Sequence, residues 1–372
     1  MPWPHEGLEP PAGWRPATFR EFVVKVASRC NLACDYCYVY ESADQSWRSQ
    51  PRVMTPAVFA DVCTRIAEHA DGPVDLVFHG GEPLLAGEAA IARFAATARE
   101  IIGDVRLRMQ TNGTLVTAGF AAICRDQGIR VAVSLDGGPA ANDRHRVRVG
   151  GGSSFPAVRD GIALLGDAFA GLLCTIDTAN DPLAVYADLL SFRPPAVDFL
   201  LPHANWETPP PRAGSYADWL ITIFDRWYAA PARETRVRLF DDILTLILGG
   251  RVASETVGLA PVRVAVFETD GTLEQVDALK TAYPGAPLLA AGSLDAALRE
   301  PGVTARQIGA AALAPACLSC AVRDVCGGGN YVHRFDPVRG FRNPSVYCTD
   351  LFRLITHVAA AVRADLSRSD RP

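Results

Sequence analysis

The sequence has no apolar run long enough to span a bilayer, no basic-then-apolar leader, no internal repeat and no low-complexity tract. Neither a helical membrane anchor nor a secretory signal is expected, and the opening residues MPWPHEGLEPPAGWRP read as an irregular lead-in. Positive charge is not in excess either. Lys and Arg number 36 against 41 Asp and Glu, and the net charge of −5 argues against nucleic acid or an anionic lipid surface as a partner. These absences together predict a soluble, cytoplasmic protein. Bulk is not lacking: 372 residues, 49% of them apolar, suffice for one large catalytic domain and a smaller appendage.

The ten cysteines are unevenly placed, and none lies between 175 and 316. Cys30, Cys34 and Cys37 fall together near the start, and Cys317, Cys320, Cys326 and Cys348 lie near the end. In a reducing compartment such groups point to metal or cluster binding before disulfides. Cys63, Cys124 and Cys174 sit in apolar stretches and read as core thiols.

Residues 20–202 alternate strand-like and helical runs. Strands are expected at 21–28, 74–79, 105–110, 130–136, 171–177 and 197–201, with helices at 56–70, 85–102, 115–127, 156–166 and 182–192 between them. Thr55 is a candidate N-cap, with Pro56 at the first helical position. Such alternation implies an α/β fold with parallel strands and right-handed crossovers, a partial (β/α)6 barrel because the pattern stops at six. Helices at 215–230 and 235–249 read as a bridge over 203–260. VRVAVFETDGTLEQVDAL reads as a hairpin turning at Asp270-Gly271, inside a Cys-rich segment at 261–350. An amphipathic helix and tail occupy 351–372, and residues 1–19 are the lead-in.

Cys30-x3-Cys34-x2-Cys37 directly follows the first strand. Three thiolates can hold three corners of a 4Fe–4S cubane and leave one iron open to a bidentate ligand. Zinc is the structural alternative, but it would want a fourth ligand, and RCNLACDYCYVYES offers no further Cys or His. Further motifs end the next three strands: His79-Gly80-Gly81-Glu82-Pro83, Gln110-Thr111-Asn112-Gly113 and Ser134-Leu135-Asp136-Gly137, with Arg146 beyond them. Each is at the C-terminal end of its strand, where parallel α/β barrels place active sites.

The Cys spacing, Tyr36 and the ordered strand-end motifs resemble the radical S-adenosylmethionine (radical SAM) superfamily. The resemblance implies that Cys30, Cys34 and Cys37 hold a 4Fe–4S cluster that cleaves S-adenosylmethionine. It also implies that Tyr36, Gly80, Gly81, Glu82, Thr111, Asn112, Ser134, Asp136 and Arg146 form the cofactor-binding set. Arg146 and Ser134 would take the methionine carboxylate. The later cysteines resemble the SPASM auxiliary-cluster domain. Full members of that group carry two auxiliary clusters, but here Val276 and Asn330 stand where two ligands of the first would be. Cys317, Cys320, Cys326 and Cys348 are the set for one auxiliary 4Fe–4S cluster, with an all-thiolate zinc site as its rival.

KVASRCNLACDYCYVYESADQSWR, VDFLLPHANWETPP and GFRNPSVYCTDLFRLI are similar to FxsB-type maturases, which form three-residue cyclophanes in ribosomally made precursor peptides. That resemblance implies a peptide partner, a reductant such as flavodoxin or ferredoxin, and hydrogen abstraction from a side-chain β-carbon. Asp277, beside Val276, is the candidate proton acceptor, and His203 a candidate substrate contact. The alternatives are another maturase, forming formylglycine or a thioether, and a non-catalytic Zn or Fe–S binding protein.

Overall fold

In the computed structural model, which describes residues 8–211 and 214–369, the six expected strands form at Glu21–Ala27 (β1), Val74–Gly80 (β2), Val105–Thr111 (β3), Arg130–Ser134 (β4), Phe169–Thr175 (β5) and Ala196–Leu200 (β6). Each pairs in parallel with its predecessor. The intervening helices cover them. Thr55 caps the first helix, Pro56–His69, by accepting from the Val58 amide at 3.2 Å. A lost cap of this kind costs about 1 kcal/mol. The helix turns Phe59, Val62, Cys63 and Ile66 to the sheet, all fully buried. Phe59 stacks on Phe94 at 4.4 Å and on Phe78 of β2 at 6.1 Å. Burying such a ring stabilises the fold by about 1.5–3 kcal/mol. Cys63, Cys124 and Cys174 are core thiols, as their apolar surroundings in the sequence predict.

The sheet does not stop at six strands. Three more form at Arg236–Val237 (β7), Val264–Phe267 (β8) and Leu273–Glu274 (β9), giving nine in the order β7-β6-β5-β4-β3-β2-β1-β8-β9. The expected hairpin is there, as antiparallel β8 and β9, but β8 also pairs in parallel with β1, Glu21 opposite Val264 through Val24 opposite Phe267. The segment from 261 onward thus supplies strands to the same sheet as residues 20–202. VAVF carries no alternation that would reveal a second partner, and its pairing with β1 is a long-range choice. One result is that Lys25 of β1 comes to lie against the acidic end of the hairpin.

The remaining C-terminal chain is a series of short turns that ends in the helix Cys348–Ser369. This helix packs on Ser215–Tyr228. Asp350 accepts from the Ala217 amide at 2.8 Å, and Tyr228 donates to Asp365 at 2.6 Å.

Candidate active site

A cavity of about 300 Å³ opens at the C-terminal ends of the strands. Cys30, Cys34 and Cys37 line it, with Tyr36, Gly80, Gly81, Thr111, Asn112, Ser134, Arg146 and His203 from the expected set. The cysteine loop is tied down on both sides. Its Ala33 amide donates to the Val147 carbonyl at 2.8 Å, and Gly81 and Glu82 amides donate to Ala27 and Arg29 carbonyls, each at 2.9 Å. Only glycine permits the second contact. A Cβ on Gly80 would lie 2.0 Å from the Ala27 oxygen, and one on Gly81 would lie 1.8 Å from the Tyr40 hydroxyl.

Glu82 and Asp136 do not line the cavity; they hold its walls. The Glu82 carboxylate is fully buried and accepts from the Leu84 amide at 3.0 Å, and from Thr111 Oγ1 and the Asn112 amide, each at 2.8 Å. Burial pushes its carboxyl upward, and these three donors oppose the shift. Asn112 in turn points its amide at Cys30 Sγ, 3.7 Å away. Asp136 accepts from the Tyr36 hydroxyl and from the Thr175 amide. Arg146 Nη1 donates to the same Tyr36 oxygen at 2.8 Å. The Arg146 Nε is buried without a partner, and the residue lines the cavity, so its guanidinium is not fully committed within the protein. Burial pushes the Cys34 thiol up to about 12, and the Arg146 charge works against that.

The opposite wall is imidazole and phenol. His203 Nδ1 lies 3.4 Å from His333 Nε2, and Tyr38 meets His203 edge-on at 5.1 Å. Enclosure disfavours the imidazolium, lowering His203 to about 4 and His333 well below its ordinary value. Both rings are therefore neutral at physiological pH. His333 was not found from the sequence. Its only signal there is nearness to the Gly-rich run after Cys326, and no local pattern aims it at the cavity.

Asp277 lies behind that wall and does not line the cavity. Its Oδ1 is 2.5 Å from Lys25 Nζ, and its charge acts on His79, His203 and Tyr38. Lys25 is also 2.6 Å from Glu268. A compositional signal for this cluster was available: Lys25 and Lys280 are the only lysines in the chain.

Cys317, Cys320, Cys326 and Cys348 come together around a second, smaller pocket of about 60 Å³. The buried Arg334 braces it, donating to the Gly327, Gly328 and Gly329 carbonyls at 2.6–3.0 Å. The two replaced ligand positions have other uses. Val276 joins an apolar cluster with Tyr331, Phe335 and Phe341, and Asn330 caps the turn Tyr331–Arg334 by accepting from the Val332 amide at 3.1 Å.

Both thiol sets fit a cubane better than zinc. A tetrahedral zinc with Zn–S near 2.3 Å would draw its sulfurs to about 3.8 Å from one another. Among the described residues, the one trio of ligand-type groups within 4.8 Å of each other is Glu268, Glu274 and Asp277, so neither cysteine set has three sulfurs that close. A cubane spreads its thiolates over separate irons. Arg146, which lines the cavity, and the glycine cradle supply what a carboxylate-bearing ligand beside the triad would need.

Residues 24–179 match the family model described as the radical SAM superfamily. The cysteine-type anaerobic sulfatase-maturating enzyme of Clostridium perfringens is 26% identical over 270 residues, covering 68% of this chain and 72% of the relative. The structure of native anSMEcpe with bound AdoMet superposes with a TM-score of 0.77 at 21% identity, over 93% of this chain and 99% of that one. Streptococcus suis SuiB bound to precursor peptide SuiA gives 0.61 at 13% identity, over 89% of this chain and 76% of that one. The cofactors of the superfamily are S-adenosylmethionine and a 4Fe–4S cluster. The matched segment, the parallel sheet and the thiol triad coincide, so residues 24–179 form a domain similar to the radical SAM superfamily, followed by a Cys-rich C-terminal region, in a fold shared with anSMEcpe.

Proposed function

We propose that the chain is a radical SAM maturase that oxidises a peptide side chain at its β-carbon. The observation that carries this reading is the single cavity lined together by the cysteine triad, Arg146 and the His203–His333 pair. The sulfatase-maturating relatives and the peptide-bound structural neighbour support a peptide substrate. Cys30, Cys34 and Cys37 would hold the first cluster, and Cys317, Cys320, Cys326 and Cys348 an auxiliary one. When bound, the open-iron cluster and S-adenosylmethionine supply the one-electron start to hydrogen abstraction.

This chain's residues do the rest. Arg146 and Ser134 grip the methionine carboxylate, and a guanidinium fork suits that group. Tyr36, pinned between Arg146 and Asp136, sets the fork's direction. Glu82 orders Thr111 and Asn112 for the ribose side, and Gly80 and Gly81 let backbone approach the amino group. His203 and His333, uncharged, bound the peptide. Asp277, whose Oδ1 lies 2.5 Å from Lys25 Nζ, is the acceptor for the proton released on oxidation. A small electron-transfer protein would provide the reductant.

Two outcomes share this chemistry. Formylglycine formation is favoured by the similarity to sulfatase-maturating enzymes over 270 residues. Cyclophane formation rests on the three resembling segments and on Val276 and Asn330, which leave no thiol for a first auxiliary cluster. Iron-loaded protein with S-adenosylmethionine, dithionite and two peptide panels, one Cys- or Ser-bearing and one aromatic-rich, separates them. An aldehyde that reacts with a hydrazine marks formylglycine, and a crosslink that blocks fragmentation between two residues marks the cyclophane. Absence of 5′-deoxyadenosine throughout would refute the common reading.

A further inference from the structure

Of the 36 Lys and Arg residues only two are lysine, and these two meet in one buried cluster. Glu268 Oε1 lies 2.6 Å from Lys25 Nζ and 3.0 Å from Lys280 Nζ. Lys25 Nζ reaches Asp277 Oδ1 at 2.5 Å on the cavity side. On the other side Lys280 Nζ reaches Glu274 at 3.0 Å, Ser46 Oγ at 3.3 Å and Asp44 Oδ1 at 3.8 Å, and the Ser46 hydroxyl donates to Asp44 Oδ1. The four charged side chains from Asp277 to Lys280 are 1–9% exposed, whereas Ser46 is half-buried and opens the surface turn Ser46–Arg48. The three carboxylates converge as they would on a metal, but the two ammonium groups pair with them instead.

Pairing with carboxylates does not by itself call for lysine. The chain buries arginine elsewhere, at Arg146, Arg306 and Arg334, and a guanidinium makes the better fixed fork for carboxylates. Lysine differs in one chemical respect: its amine can release and regain a proton, which a guanidinium in a protein does not do.

We propose that Lys25, Glu268, Lys280 and Ser46 form a proton exit leading from Asp277 to solvent. This rests on the reading of Asp277 as the proton acceptor. Once Asp277 holds the substrate's proton, Lys25 passes one of its own to Glu268 and takes the proton from Asp277. Glu268 passes its proton to Lys280 as Lys280 gives one to the Ser46 hydroxyl, whose own proton moves to its acceptor Asp44 Oδ1 and from there to water. Every group ends as it began, one proton enters, one leaves, and no electrons move. Glu274, attached to Lys280 off the path, fixes that ammonium in place.

With two lysines, selective ¹⁵N-lysine labelling of the iron-loaded full chain yields two Nζ signals, assigned by Lys25→Arg and Lys280→Arg. Their hydrogen exchange with deuterated solvent reads the path directly. In the unaltered protein both exchange well before global unfolding would allow. In Lys280→Arg the Lys25 signal exchanges at least about tenfold more slowly, because a guanidinium holds its proton more tightly than an ammonium by about two pK units or more. A purely structural lysine predicts the reverse, since a poorer fit loosens the cluster and speeds exchange by local opening. If Lys280→Arg does not fold, Ser46→Ala at the outer end tests the same step, with slowing of both signals expected. Unchanged or faster Lys25 exchange in the folded variant, or exchange in the unaltered protein only at the unfolding limit, overturns the proposal. If exchange behaves as expected but Asp277→Asn forms product normally, the path stands and the role given to Asp277 fails.

Discussion

Arg146 donates from Nη1 to the Tyr36 hydroxyl at 2.8 Å while leaving its buried Nε without a partner. The tyrosine sits inside the cysteine motif and the arginine beyond the fourth strand, so one hydrogen bond joins the triad loop to the segment after β4. Arg146→Ala is expected to weaken S-adenosylmethionine binding about tenfold to a hundredfold, from the roughly 1.5–3 kcal/mol of a charge-assisted pair. Iron content should not change. Tyr36→Phe keeps the fork but frees its direction, and should weaken binding by about tenfold or less. Titration of S-adenosylmethionine into each variant checks both; an unaltered dissociation constant for Arg146→Ala would place that residue outside the site.

The three-plus-four thiol arrangement sets an iron stoichiometry. Anaerobic reconstitution should give about eight irons per chain, from two cubanes of about four each. Replacing Cys30, Cys34 and Cys37 together by Ala should halve that figure and abolish S-adenosylmethionine cleavage. Cleavage surviving in the triple variant would refute the assignment of the triad. About four irons with one zinc would return the C-terminal site to zinc.

Asp277→Asn removes a proton acceptor but leaves both thiol sets untouched. Product formation should fall by about 10²–10⁴-fold, the usual cost of a lost general base. Cleavage to 5′-deoxyadenosine should continue, since it precedes proton loss from the peptide. Near-normal peptide product, measured by mass spectrometry beside 5′-deoxyadenosine, would move the search for the base to His203 and His333.

His203 links stability to pH. Enclosure lowers its folded-state value from 6.5 to about 4, so the unfolded chain binds a proton between those values that the folded protein does not. The stabilisation is present in full above pH 6.5 and is lost as pH falls toward 4. His203→Gln should flatten that part of the stability profile. Denaturant unfolding at pH 7.5 and 5.5 measures the slope, and equal slopes in the two proteins would show that His203 titrates normally.

Phe341 is 1% exposed and stacks on Tyr331 at 4.6 Å, next to Val276. This packing occupies the neighbourhood where the resembling family would place a cluster ligand. Phe341→Ala should cost about 3–5 kcal/mol by opening a cavity there. The midpoint of denaturant unfolding reports it, and a loss below about 1 kcal/mol would mean that the surroundings collapse to fill the space.

Much of the site was legible because its signals are local. Cysteine spacing, glycines where a Cβ has no room, a Thr-Pro helix start and strand-end motifs are each carried by a few adjacent residues. Helix and strand periodicities placed the six core strands to within one or two residues, and those strand ends carry the motifs into one cavity. The division of labour within the set was not legible. Glu82 and Asp136 share motifs with residues that line the cavity, yet their carboxylates are taken up by backbone amides and neighbouring hydroxyls.

What the sequence determined by itself is the alternating α/β order, the two thiol sets and the absence of thiols at 276 and 330, since periodicity and residue identity need no knowledge of distant partners. Tertiary structure alone decided that β8 joins β1 and that Asp277 lies behind the cavity wall, paired to Lys25. It also decided that His333, remote in the chain, meets His203. Those outcomes depend on which buried charges and apolar faces find each other across some 130 to 250 residues. The free energy of burying a charge is set by the partner it meets in space, and that partner has no signature in the residues beside it.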